Sequence, residues 1–342
     1  MSEKEISWTR RSLLSVVGTG VLAGCSGQSS ESTPASTTRA TTETPPTAES
    51  TTTVTPEPTA EPTTTETDTP EPTPEDPAYD VPTLELVEPP EDFQPMFDKS
   101  MVVFGVRLVG TERVSEAKLR HAGAVMAEYL DNDEDGVPDN PAVVDELVAQ
   151  EATLIVPYDE RELEEAFDFL STRLPPSRAE SVQDLHAVEI HPEGLPHSTS
   201  GDRFDATLEE VLHLVTHVGF SSVYPDVFGE QSGSEIADAM DIARGGHFED
   251  VPNSYPDEAW YTYDDDTCDY GCQITEYTYW AGTSAMGAQA VGSRPAEIDH
   301  EWRLATSEAV ETQDTAVFEI LSNPEYGFPL ELPDGSYAPA EA

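Results

Sequence analysis

Between Met101 and Gly110 the chain reads MVVFGVRLVG, an alternating, β-rich run that predicts a strand. From Val114 to Leu130 (VSEAKLRHAGAVMAEYL) apolar residues recur every three or four positions, so a helix follows. EATLIVPY (151–158) predicts a second strand, and ERELEEAFDFLSTRL (160–174) a second helix stopped by Pro175 and Pro176. LHAVEIHP (185–192) predicts a third strand, ahead of an apolar helix around 207–220. Beyond it lie a short helix at SEIADAMDIARGG (234–246), an aromatic, acidic loop over 248–272, a helix from about Gln273 to Gln289 and a last one from Pro295 to Leu321. The order is that of an α+β domain, a small sheet packed on helices.

The helix EEVLHLVTHVGF (209–220) carries the candidate chemistry. At about 100° per residue, Glu209, Glu210 and His217 fall on the side of His213, while Leu208, Val211, Leu212, Leu214, Val215 and Val218 fill the rest of the circle. An otherwise apolar helix cannot bury two carboxylates and two imidazoles unpaired, and a cation would satisfy them together. Histidines at i and i+4 suit zinc chelation from one face; ordinary hydrogen-bonded core histidines are the competing reading. Glu210 is the candidate acid/base, or else one half of a Thr207–Glu210 capping box.

This arrangement resembles the zincin metallopeptidases, in which an edge strand precedes the metal helix and a later helix supplies a further ligand, a glutamate in the gluzincin branch. The resemblance covers residues 100–290 or so and implies that LHAVEIHP is the edge strand, Glu276 in CQITEYTYWAG the third zinc ligand, and peptide-bond hydrolysis the activity. The family's His-Glu-x-x-His is here His213-Leu214-Val215-Thr216-His217, so the usual glutamate is missing. The alternative is a non-catalytic calcium- and zinc-binding surface protein. If Glu276 is not a ligand, His247 or Glu209 is next; His191 and His197 are further candidates of lower rank. Tyr255, Trp260, Tyr261, Tyr263, Tyr270, Tyr277, Tyr279 and Trp280 either wall a substrate cleft or pack a loop on a helix.

DNDEDGVPDN (131–140) resembles the calcium loop of EF-hands, dockerins and thrombospondin repeats. Asp131, Asp133, Asp135 and Asp139 take positions 1, 3, 5 and 9, the Val137 carbonyl position 7, and Gly136 the sharp turn. Position 12 is Ala142, not the bidentate glutamate, and Asp145 or Glu146 would have to replace it. Calcium bound in this loop, residues 131–142, would brace the domain.

The N-terminus sets the compartment. TRRSLLSVVGTGVLAGC resembles a twin-arginine lipoprotein signal, with Arg10–Arg11, an uncharged stretch and a lipobox ending at Cys25. This implies removal of residues 1–24, a lipid on Cys25 that attaches the protein to the membrane, and a place at the outer face of the cytoplasmic membrane. Residues 25–80 are mostly Thr, Pro, Ser and Glu and predict a disordered stalk, leaving 81–342 as the folded domain. Of the formal net charge of −52, −10 falls on residues 25–80 and −43 on those after them. With only three lysines in the whole chain, the sequence resembles proteins of extreme halophiles. Such a surface excludes nucleic acid as a partner. Cys268 and Cys272, four apart in an exported domain, suit a disulfide better than a metal site.

Overall fold

The computed structural model describes residues 79–198, 201 and 203–339; the residues read as a signal, Cys25 and nearly all of those read as a stalk lie outside this range. In chain order the elements are β1 (Lys99–Val103), β2 (Val106–Gly110), α1 (Glu116–Leu130), α2 (Pro141–Ala149), β3 (Thr153–Val156), α3 (Glu160–Ser171), α4 (Pro176–Ala179) and β4 (Val182–Asp184). There follow α5 (Thr207–Leu214), a wide π-helical segment (Val215–Phe220), α6 (Ser221–Val223), α7 (Glu235–Ala243), α8 (Tyr270–Ala285), α9 (Arg294–Glu297), α10 (Ser307–Gln313) and α11 (Thr315–Leu321). The class is α+β, with a small mixed sheet and many helices.

The sheet order is β1-β2-β3-β4, antiparallel between the first pair and parallel thereafter. Side chains alternate between its faces. Met101, Leu108, Leu154 and Val156 join the main core with α1, α2 and α5, while Val109 and Ile155 turn the other way to meet Leu163, Ala166 and Leu170 of α3. β3 is buried at every position, as a strand covered on both faces should be.

Three expected elements differ. The run at 101–110 is a hairpin rather than one strand: Phe104 and Gly105 both adopt positive φ, +46° and +91°, so a two-residue turn of the I′ kind folds β1 back on β2. Residues 185–192 are not a strand. The ladder with β3 ends at Asp184, because Pro157 accepts from the amide of Ala187 yet has no N–H to return. The helix expected over 295–321 is three short ones; the buried Trp302 donates from its indole to Ser284 Oγ (2.8 Å) and Leu304 O (2.9 Å), and this anchor holds the chain in an irregular turn.

Two packing features fix α5 and the segment after it. α5 is buried along nearly its whole length, and its Leu208, Val211, Leu212 and Leu214 each contribute on the order of 1.5–3 kcal/mol by leaving water, which offsets part of the cost of burying its polar residues. In the π-helical segment Gly219 lies against α2 so closely that a Cβ there would stand 2.7 Å from Val143 Cγ1.

Candidate metal centre

His213 sits at the end of α5 between two carboxylates. Its Nδ1 lies 3.4 Å from Glu210 Oε2, and its Nε2 lies 3.7 Å from Glu276 Oε2 of α8. Nε2 is buried and has no hydrogen-bond partner. A buried ring nitrogen without a partner costs on the order of 1–3 kcal/mol. The carboxylate opposite is too distant for a hydrogen bond but suitably placed to share an ion with it.

A cavity of about 30 Å³ opens beside this pair, lined by His213, Glu276, His217, Gln183, Thr275 and Cys272. Its size suits one water molecule or one ion. His217 belongs to the π-helical segment, and its Nδ1 is 2.7 Å from both carboxylate oxygens of Glu230, which also accepts from Thr275 Oγ1 at 2.7 Å. With Nδ1 engaged in this way, Nε2 is the nitrogen left to coordinate. Glu230 stands in a loop 13 residues after His217, a place where no sequence periodicity points to it.

The capping box is absent. Ala206 occupies the N-cap of α5 with no side-chain bond, and Glu210 accepts instead from Gln183 Nε2 of β4 at 2.7 Å. Glu210 thus faces the opposite nitrogen of His213 from Glu276 and is not a wall of the cavity. Glu209 approaches the same group: Glu209, Glu210 and His213 each bring one ligand atom within 4.8 Å of the others.

The electrostatics are those of crowded, buried acids. Burial pushes Glu276 up to about 8; His213 opposes the rise, while Glu209, Glu210 and Glu301 add to it. Glu210 is raised well above the ordinary range by burial, then by Glu209 and Asp184. Glu209 is raised by burial despite His213 and Arg294, and Glu301 is pushed up to about 7 by burial and by Asp264. A divalent cation among these groups would stabilise their ionised forms.

Most of the aromatic residues are packing. Tyr261, Tyr277 and Trp302 form one buried cluster, with the Tyr277 hydroxyl and the Trp260 indole both donating to Asp314 Oδ2. Tyr279 is different, since its ring meets the His213 imidazole edge-on at 5.5 Å between centroids. Cys268 and Cys272 form a disulfide. His247 is held on the surface between Asp241 and Glu249 and is not a wall of this cavity.

In the calcium-type loop Asp131, Asp133 and Asp135 each bring an oxygen within 4.8 Å of the others, and Gly136 has φ +89° as the sharp turn requires. Asp131 is fully buried and accepts from the amides of Asp135 and Gly136 and from the Tyr337 hydroxyl. Asp139 accepts from the Asn132 amide at 2.6 Å. Ala142 lies in α2; Asp145 accepts from the Tyr79 hydroxyl and Glu146 from Gln150 Nε2. A C-terminal strap covers the loop, with Glu128 accepting from the amides of Gly335 and Ser336 and Asn132 from those of Leu330 and Glu331.

A third grouping is visible only after folding. Asp205 Oδ2 lies 2.6 Å from Nε2 of His121 on α1 and 2.9 Å from Nε2 of His197, while Oδ1 accepts from the His191 amide and from Thr207. Burial would raise this carboxyl, but the two imidazoles outweigh it and hold Asp205 well below the usual carboxylate range. Every oxygen here has its donors, so the cluster is complete as a structural tie between α1 and the start of α5.

Family models, curated proteins and solved structures were compared with the chain, and none matches. Function is therefore argued from the site itself.

Proposed function

We propose that this is a lipid-anchored surface protein whose His213, His217 and Glu276 hold a zinc-like cation in a zincin-like metallohydrolase centre acting on peptide bonds, with calcium in the 131–139 loop as a brace. One observation carries the reading: the buried, unpartnered Nε2 of His213 faces Glu276 across a cavity that His217 also lines. Two imidazoles and one carboxylate are the donor set of hydrolytic zinc sites, which keep a further position open. The placement of Glu276 on α8, after α5, supports the zincin resemblance, whereas the edge strand it implied at 185–192 is not a strand.

A zinc ion so held would act as a Lewis acid on a substrate carbonyl. The chain's own residues have separate tasks. Glu230 orients His217, and Glu210 orients His213 through Nδ1. For Glu210 to act as acid/base it must leave Gln183 and swing past His213. That position favours a second reading, a metal-binding surface protein without hydrolytic activity.

Metal analysis of the purified chain at high salt, with and without His213→Ala, tests the centre. Full metal content in the variant would reduce α5 to a core helix. Metal loss in the variant, together with cleavage of a peptide library by the parent, supports the hydrolase; metal loss without any cleavage supports the binding protein.

A further inference from the structure

The disulfide borders the centre. Cys272 is one of the residues lining the cavity that His213, His217 and Glu276 share. It lies on α8 four residues before Glu276, so the two occupy one face of the helix, a turn apart. Cys272 is partly exposed and Cys268 is buried.

The backbone around the pair is also held by hydrogen bonds that do not involve the sulfurs. Asp269 caps α8 by accepting from the Cys272 amide at 3.0 Å. Gln273 Nε2 donates to the Cys268 carbonyl at 3.1 Å, and its Oε1 accepts from the fully buried Arg244 at 2.6 Å. Arg244 is itself fixed by Asp241 at 2.6 Å. These bonds remain available to hold the segment when the disulfide is opened.

We propose that Cys272 is a redox-gated ligand of this centre. The gating rests on the proposed metal site and adds a regulation to it. A dithiol reductant supplies two electrons and two protons, becomes a cyclic disulfide, and leaves thiols at Cys268 and Cys272. Cys272 gives its proton to solvent as its thiolate binds the cation beside the two imidazoles and Glu276. Four protein ligands make a closed, structural type of site, whereas three leave a position for substrate. The oxidised protein is the open form and the reduced protein the closed one.

Cobalt(II) is a suitable probe, added to the full-length chain carrying Cys25→Ser so that residues 268 and 272 supply the only thiols. The oxidised protein should show visible cobalt bands and no thiolate-to-cobalt charge-transfer band in the near ultraviolet. Reduction should bring that band in, Cys268→Ser should show it without reductant, and Cys272→Ser should lack it under both conditions. Should Cys268→Ser fail to fold, reduction of the otherwise unchanged chain gives the same reading. Cobalt bands that stay free of thiolate character after reduction overturn the gating and leave the metal centre standing. A chain that gives no cobalt spectrum in either redox state overturns the metal centre and the gating together.

Discussion

Glu230 receives the Nδ1 of His217 with both carboxylate oxygens, each at 2.7 Å. An imidazole held from behind in this way presents its other nitrogen in a fixed direction and as a stronger donor. Glu230→Ala should therefore weaken zinc binding by about tenfold to a hundredfold, the usual effect of losing such a partner. Isothermal titration against His217→Ala as the fully disabled control measures it, and unchanged affinity would remove His217 from the centre.

Asp205→Asn should cost about 1.5–3 kcal/mol, since it takes a charged acceptor from the rings of His121 and His197. The folded Asp205 titrates below its unfolded value of about 3.9, so its contribution is present above that pH and is lost as pH falls toward the folded value. The variant should be weaker at neutral pH and lose less on acidification below about pH 4. Urea midpoints at constant salt report both effects; an identical acid limb in the two proteins would contradict the assignment.

Asp131→Ala combined with Asp135→Ala should abolish any calcium-dependent rise in melting temperature. The comparison must hold ionic strength constant, because salt alone stabilises so acidic a surface. An unaltered calcium shift would place the ion elsewhere.

Glu128 gives a prediction of opposite sign. Burial pushes its carboxyl up to about 7, although the amides of Gly335 and Ser336 pull it down. The folded state therefore holds a proton that the unfolded state releases from about pH 4.3, and stability falls as pH rises between there and 7. Glu128→Gln should flatten that slope relative to the parent in melting curves from pH 4 to 8. A parallel slope in both proteins would mean that the carboxyl ionises freely beneath the strap.

Residues that keep a regular spacing are the ones legible along the chain. His213, His217 and the aspartates of the 131–139 loop stand at such spacings, whereas Glu276 follows only from the zincin resemblance; His213, His217 and Glu276 line one cavity, while the atoms that come within 4.8 Å of one another at His213 are those of Glu209 and Glu210. Glu230, Gln183 and the His121–Asp205–His197 group come from loops or distant elements, and only tertiary folding gives them a common address. The hairpin was hidden because Phe104 is not a turn-forming residue, and its positive φ is imposed by pairing on both sides. Residues 185–192 carry apolar side chains, Leu185, Ala187 and Ile190, that are buried in an irregular path, so burial alone imitated a strand. The His213–His217 spacing presumes a regular helix, yet the turn between the two widens, and the four-residue step covers less rotation than 3.6 residues per turn would give.

That widened turn also has a thermodynamic meaning. α2 begins directly after the 131–139 loop, is capped by Asn140, and packs its Val143 against Gly219, two residues from His217. One short helix thus runs from the 131–139 loop to the segment that carries His217. Whatever free energy calcium adds to or takes from zinc binding through α2, zinc must return to calcium in equal amount, because coupling between two equilibria is reciprocal. Titrating each ion in the presence of the other reads that coupling as a single free energy.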